Sequence, residues 1–183
     1  VLASPQPQPG WPVATGGPVR GAVAIGNIAG DARLEAVVGA MDSKLYALNT
    51  DGTAAAGNWP VTLAGNVVSA PALADFDGDD LLEIGVMTHN GYVYALKGDG
   101  SVMPGWPQTV PASYAYNYGL SPSPVIANLD GDEDMEILIT GESQMDVFEV
   151  NGSRWGCHWP VWVSADYGLL ATPAVADLDG DGQ

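Results

Sequence analysis

The feature that most constrains this chain is an internal repeat of roughly fifty residues, marked twice in every unit. Acidic segments begin at Asn27, Asp75, Asn128 and Asp177, spaced 48, 53 and 49 residues apart. Trp-Pro pairs run in phase with them, at Trp11-Pro12, Trp59-Pro60, Trp106-Pro107 and Trp159-Pro160, spaced 48, 47 and 53. Two independent markers sharing a period make chance resemblance untenable. Each unit is one supersecondary element that buries its apolar surface against its neighbours.

One unit reads as four short strands. Ser69 to Ala74 is an apolar run entering the acidic loop, and Leu82 to Thr88 is rich in β-forming residues. Asn90-Gly91 is a hairpin signal, followed by a strand over Tyr92 to Leu96. Gly98 to Gly100 is a turn, and the unit closes with Val102 to Trp106-Pro107. The other units match with Glu35–Gly39 and Lys44–Leu48, then Glu136–Thr140 and Asp146–Val150. Composition agrees, since 24 Gly and 14 Pro with only 15% charged residues suit strands and tight turns better than amphipathic helices.

A four-stranded antiparallel sheet at this period is a propeller blade. The expected fold is therefore all-β: a single β-propeller fragment over residues 1–183, with about three complete blades plus partial flanking ones. The repeats fall at 14–62, 63–109 and 110–162, with partial blades at 1–13 and 163–183. Open blade edges expose unpaired backbone. The expectation is therefore a longer natural chain, with self-assembly of several copies as the alternative.

The acidic loops carry the chemistry. Of 22 acidic residues, 13 fall in three clusters, and such crowding is self-repelling unless a cation sits within it. The spacing is Asp-x-Asp-Gly-Asp-x-x-x-Glu. Calcium takes six to eight hard oxygen ligands, which alternate positions of a tightly curled loop can supply. The expected ligands are Asp75, Asp77, Asp79, the carbonyl of Leu81 and Glu83 in one loop. In the next they are Asn128, Asp130, Asp132, the carbonyl of Asp134 and Glu136, and a third loop offers Asp177, Asp179 and Asp181. An EF-hand would need an acidic twelfth residue, where this chain has Val86 and Ile139. The first loop has Ala29 at its third position and Arg33 among the would-be ligands. It reads as a decayed site without calcium, where Arg33 replaces the cation by pairing with Asp31 or Glu35.

These units resemble FG-GAP (VCBS-type) repeats, the calcium-binding repeats of integrin-α-like propellers. Ser69 to Asp79, Ala171 to Gly182, Gly91 to Leu96 and Pro104 to Pro107 carry the resemblance. It implies calcium in the loop between a blade's first and second strands. It also implies secreted or cell-surface proteins in adhesion, or accessory domains of large enzymes.

Strand parity puts the 1–2 and 3–4 loops on one face of the ring and the inter-blade crossings on the other. From each Trp to the residue four before the next loop start, the crossings run 12, 12, 18 and 14 residues. The longest carries Tyr114, Tyr116, Asn117 and Tyr118, and its neighbour Trp162, Asp166 and Tyr167. Aromatics beside polar groups suit a carbohydrate or an extracellular protein ligand.

The net charge of −17 with five basic residues excludes a nucleic-acid footprint. No run is apolar enough for membrane insertion. The single cysteine, Cys157, forms no intrachain disulfide and reads as a small, at least half-buried residue. Only His89 and His158 are bases near neutral pH, and His158 reads as packed rather than catalytic. The functional expectation is a non-catalytic, extracellular, calcium-stabilised module for binding or adhesion. Alternatives are a subunit of an extracellular filament or surface layer, and the propeller part of a secreted polysaccharide-degrading enzyme. Asn151-Gly-Ser153 matches a glycosylation sequon but reads first as an ordinary turn.

Overall fold

The structure, a computed structural model, describes residues 7–111, 122–132, 134–141, 144–163 and 171–176. Among these described residues the regular elements are all strands, grouped in three four-stranded antiparallel sheets. Blade 1 holds β1 (Ala24–Gly26), β2 (Glu35–Gly39), β3 (Lys44–Leu48) and β4 (Val61–Thr62). Blade 2 holds β5 (Ala72–Ala74), β6 (Glu83–Met87), β7 (Tyr92–Leu96) and β8 (Gln108–Thr109). Blade 3 holds β9 (Val125–Ala127), β10 (Glu136–Thr140), β11 (Gln144–Phe148) and β12 (Val161–Trp162). Each sheet is a simple meander in chain order.

The second strands show why this is a stack of blades. Glu-Ile-Gly-Val-Met in β6 and Glu-Ile-Leu-Ile-Thr in β10 are buried at every residue. Strands covered on both faces read as continuous apolar runs rather than alternations. One core lies between blades 1 and 2, with Ile28, Val37, Leu45, Trp59, Ile84 and Leu96. A second lies between blades 2 and 3, with Phe76, Met87, Trp106, Ile137, Ile139 and Phe148. The first strands come together, β1 against β5 and β5 against β9. There the Ala70 N–H donates to Ser123 Oγ at 2.9 Å and the Ser123 N–H to Thr172 Oγ1 at 3.0 Å. Equivalent residues of successive repeats are thus linked in series.

The Trp-Pro pairs join blades on the outer side. Trp59 Nε1 donates to the Gly98 carbonyl at 3.0 Å, and Trp106 Nε1 to the Val150 carbonyl at 2.8 Å. Trp11, preceding blade 1, does the same with Thr50 at 2.9 Å. Each indole therefore reaches the turn after the third strand of the following blade. All four Trp-Pro bonds are cis.

Three details differ from the sequence expectation. The fourth strand follows the Trp-Pro pair instead of ending on it, because the indole is committed to the next blade and pairing resumes only beyond the proline. The first strand starts at Ala72 rather than Ser69, since Ser69 meets β6 through its side-chain hydroxyl, at Met87, and the Ala70 N–H donates to Ser123 Oγ of the next repeat. The third strand of blade 3 lies at Gln144–Phe148, two residues before the expected Asp146–Val150. Asp146 is fully buried there, held by Arg154 Nε at 2.7 Å and by Gln144. The Asn90-Gly91 turn joins β6 and β7 where the sequence puts it, with positive φ at Gly91 (87°) and not at Asn90. Asn90 instead spends its side chain on the Thr88 hydroxyl and the Ala64 carbonyl.

Candidate metal centre

The acidic segments form the connections between the first and second strands of each blade, β1–β2, β5–β6 and β9–β10. All three are built on one frame. The second loop residue is an apolar plug: Phe76 is fully buried, Ile28 is buried, and Leu129 is less deeply placed. The glycine at position four is left-handed, with φ of 69° at Gly30, 72° at Gly78 and 82° at Gly131. Only glycine takes that conformation without steric cost, and it turns the backbone between two ligand positions. The ninth residue opens the second strand as a buried glutamate, Glu35, Glu83 or Glu136, each 1% exposed. Its Oε2 accepts the N–H of the apolar plug: Ile28 at 3.0 Å, Phe76 at 2.9 Å and Leu129 at 2.6 Å. The core therefore anchors the plug, and the plug anchors the glutamate.

In blade 2, Asp75, Asp77, Asp79 and Glu83 each bring one carboxylate oxygen within 4.8 Å of the others. Asp75 also accepts the N–H groups of Asp79 and Asp80 at 3.0 and 2.9 Å. Asp79 accepts that of Leu81 at 2.9 Å. In blade 3, Asp130, Asp132 and Glu136 converge in the same way. Asn128 Oδ1 accepts the N–H of Gly131 at 2.6 Å, and Asp132 accepts that of Asp134 at 2.8 Å. Glu136 Oε1 is buried and has no hydrogen-bond partner. A buried carboxylate oxygen without a donor carries a desolvation cost that a cation would remove. Burial pushes the carboxyls of Glu83 and Glu136 above the usual range, with the neighbouring aspartates adding to it. The donors are all hard oxygens, which fits calcium and not a soft or nitrogen-seeking metal.

In blade 1, Arg33 takes one of the two partners its sequence offered. Arg33 pairs with Asp31 at 2.9 Å but remains largely exposed, so it does not reach the buried glutamate. Glu35 Oε1 is left buried without a partner.

Two contributors were not evident from loop spacing. Lys97, directly after β7, places Nζ 3.1 Å from Asp77 Oδ2 and 3.5 Å from Asp79 Oδ2. Trp155, in the connection after β11, donates Nε1 to Asp130 Oδ2 at 3.3 Å. Both come from 3–4 connections, so these lie on the same side of the blades as the acidic loops. A groove of about 290 Å³ opens beside the blade 2 loop, lined by Ile28, Leu81, Glu83, Lys97 and Asp99 among others. The signal that could have found Lys97 is register. Ile84 pairs with Leu96, which sets the next residue opposite Glu83.

Trp162, on edge strand β12, is 72% exposed, with Val161 and Val163 exposed beside it. The other ligand-face residues, Tyr114, Tyr116, Asn117, Tyr118, Asp166 and Tyr167, lie outside the described residues, as do Asp177, Asp179 and Asp181. Cys157 is exposed rather than half-buried. His158 is exposed too, on the rim of an apolar hollow formed by Trp155 and Trp159. Both sit in the long β11–β12 connection, which no described blade covers.

The FG-GAP-like repeat family matches residues 128–183. No curated protein matches the chain. Among solved structures it is similar to BamB from Moraxella catarrhalis, at 21% identity and a TM-score of 0.58, over 88% of this chain and 45% of that one. It is similar to BBS1N, solved in complex with ARL6DN, at 12% identity and 0.58, over 90% and 46%. It is similar also to the computationally designed Ika4 protein, at 11% identity and 0.53, over 86% and 80%. The chain spans about half the length of the first two. With the fold matched along most of its length, the chain is a β-propeller, and its C-terminal third, residues 128–183, matches the FG-GAP-like repeat family.

Proposed function

We propose that this chain is a calcium-stabilised propeller module that acts outside the cell in binding or adhesion and is not itself a catalyst. The observation that carries the calcium reading is the cluster of Asp130, Asp132 and Glu136, in which Glu136 Oε1 is buried without a hydrogen-bond partner. The four-carboxylate cluster of blade 2 supports it. Calcium, when bound, supplies charge neutralisation that ties the first strand of a blade to its second. Asp75, Asp77, Asp79 and Glu83 would hold one ion, and Asn128, Asp130, Asp132 and Glu136 another. Loops of this kind serve best where calcium is abundant, which favours an exported setting.

The binding role rests on the apolar, exposed Val161-Trp162-Val163 edge, a surface suited to a carbohydrate or a protein ligand. The two histidines favour no catalytic reading. His89 Nδ1 is buried without a partner, and His158 stands among tryptophans.

Thermal unfolding in about 1 mM calcium and in chelator tests the metal reading. An ion present at 100 times its dissociation constant adds about 2.7 kcal/mol per site. The expected result is a rise in melting temperature of many degrees in calcium. Identical melts in the two buffers would contradict the reading.

A further inference from the structure

We propose that the residue directly after each blade's third strand sets the calcium affinity of that blade's loop. Lys97 acts as a built-in cation that stands in for calcium in blade 2, and Glu149 acts as an added carboxylate that favours calcium in blade 3. The inference rests on the calcium reading above and goes beyond it by ranking the two sites.

Strand register places these residues. In blade 2, Ile84 pairs with Leu96, so Lys97 follows opposite the loop glutamate Glu83. In blade 3, Ile137 pairs with Phe148, so Glu149 follows opposite Glu136. In blade 1, Ala36 pairs with Leu48, so Asn49 follows opposite Glu35. All three start the same turn: the N–H groups of Asn49, Lys97 and Glu149 donate to Thr53, Ser101 and Ser153, each at 2.8 Å. One structural position therefore carries a neutral, a positive and a negative side chain in the three blades.

The charges reach the loops. Lys97 Nζ lies 3.1 and 3.5 Å from Asp77 and Asp79, two residues of the blade 2 cluster. An ammonium there offsets one of the loop's negative charges without calcium and must be displaced or repelled when the ion enters. Glu149 is half-buried and sits in the field of Asp130, Asp132 and Asp134. It deepens the negative potential of a loop whose first residue is the neutral Asn128. Calcium therefore fills blade 3 first, and blade 2 fills only at a higher concentration.

The position predicts effects of opposite sign on two readouts, which a merely structural residue would not produce. Lys97→Gln should lower the melting temperature in chelator, because Asp77 and Asp79 lose their counterion, and should strengthen calcium binding. Glu149→Gln should raise the melting temperature in chelator and weaken calcium binding. Calorimetric titration of the full chain with calcium chloride measures the affinities. Lys97 variants are compared in an Asp130→Asn/Asp132→Asn background and Glu149 variants in an Asp77→Asn/Asp79→Asn background. The loop beginning at Asp177 is the same in every variant, so differences report the blade under test. A unit charge this close to a divalent ion changes affinity by about tenfold. The expected result is about tenfold tighter binding for Lys97→Gln and about tenfold weaker for Glu149→Gln. Calcium bound with unchanged affinity by both variants would overturn the inference and leave the calcium reading standing. No binding heat in any form, wild type included, would overturn both.

Discussion

In blade 1 the buried Glu35 closes a loop whose third residue is Ala29 and whose Arg33 turns outward to Asp31. In blade 2 its counterpart Glu83 closes a loop in which Asp75, Asp77 and Asp79 converge on it. The backbone is nevertheless the same. Position four is a left-handed glycine in both, and position six is left-handed too, at φ 67° for Ala32 and for Asp80. The glutamate accepts the N–H of a buried apolar residue in both. A loop lacking one ligand carboxylate, at Ala29, thus keeps its shape. The frame comes from the inter-blade core and one glutamate, and the cation site is built upon it. Losing calcium should loosen the acidic loops without dissolving the blades.

The separation of frame from ligand can be broken from the frame's side, with the largest effect. Phe76 is fully buried between blades 2 and 3 and fixes Glu83 through its N–H. Phe76→Ala should cost about 3–5 kcal/mol in urea unfolding. The cost should appear in chelator as well as in calcium, because it belongs to the core.

It can be sharpened from the ligand's side. Asn27, Asp31 and Glu35 of the blade 1 loop already correspond in donor type to Asn128, Asp132 and Glu136 of blade 3. Ala29→Asp supplies the missing carboxylate, the counterpart of Asp130. Arg33→Ala in the same chain releases Asp31 from its ion pair. The double variant should bind one more calcium than wild type and gain about 2.7 kcal/mol at 100 times the dissociation constant. Equilibrium dialysis counts the ions. An unchanged count would mean that the blade 1 frame is not competent after all.

A smaller effect lies in pH. Burial raises the carboxyls of Glu83 and Glu136 from the ordinary 4.5. In calcium-free protein the folded state then holds more protons than the unfolded one just above that value. Stability should fall as pH rises through this window. With calcium bound the slope should reverse, since the ion competes with protons for the same oxygens. Melting curves between about pH 4 and 7, with and without calcium, measure both slopes.

Much of the fold is legible because the repeat presents each element more than once. Glu35–Gly39, Lys44–Leu48, Tyr92–Leu96 and Glu136–Thr140 fall where apolar runs between turn residues put them. The fourth strands were harder, being two residues long and held by little side-chain pattern of their own. The third strand of blade 3 starts two residues before its expected start at Asp146, because Gln144 does not look like strand interior until its bond to the buried Asp146 is seen, and it ends at Phe148 because Glu149 opens the next turn. Loop spacing alone brings Asp75, Asp77, Asp79 and Glu83 together, since all four lie on one short turn. Lys97 and Glu149 stay invisible to it. They arrive from another hairpin, and only the register of β6 with β7 and of β10 with β11 brings them to the loops.

The most direct test of the account is to locate ions in crystals of the full chain grown in calcium. The account predicts an ion among Asp75, Asp77, Asp79 and Glu83, another among Asn128, Asp130, Asp132 and Glu136, and none between Asn27 and Glu35. Ions in all three loops, or in none, would contradict it.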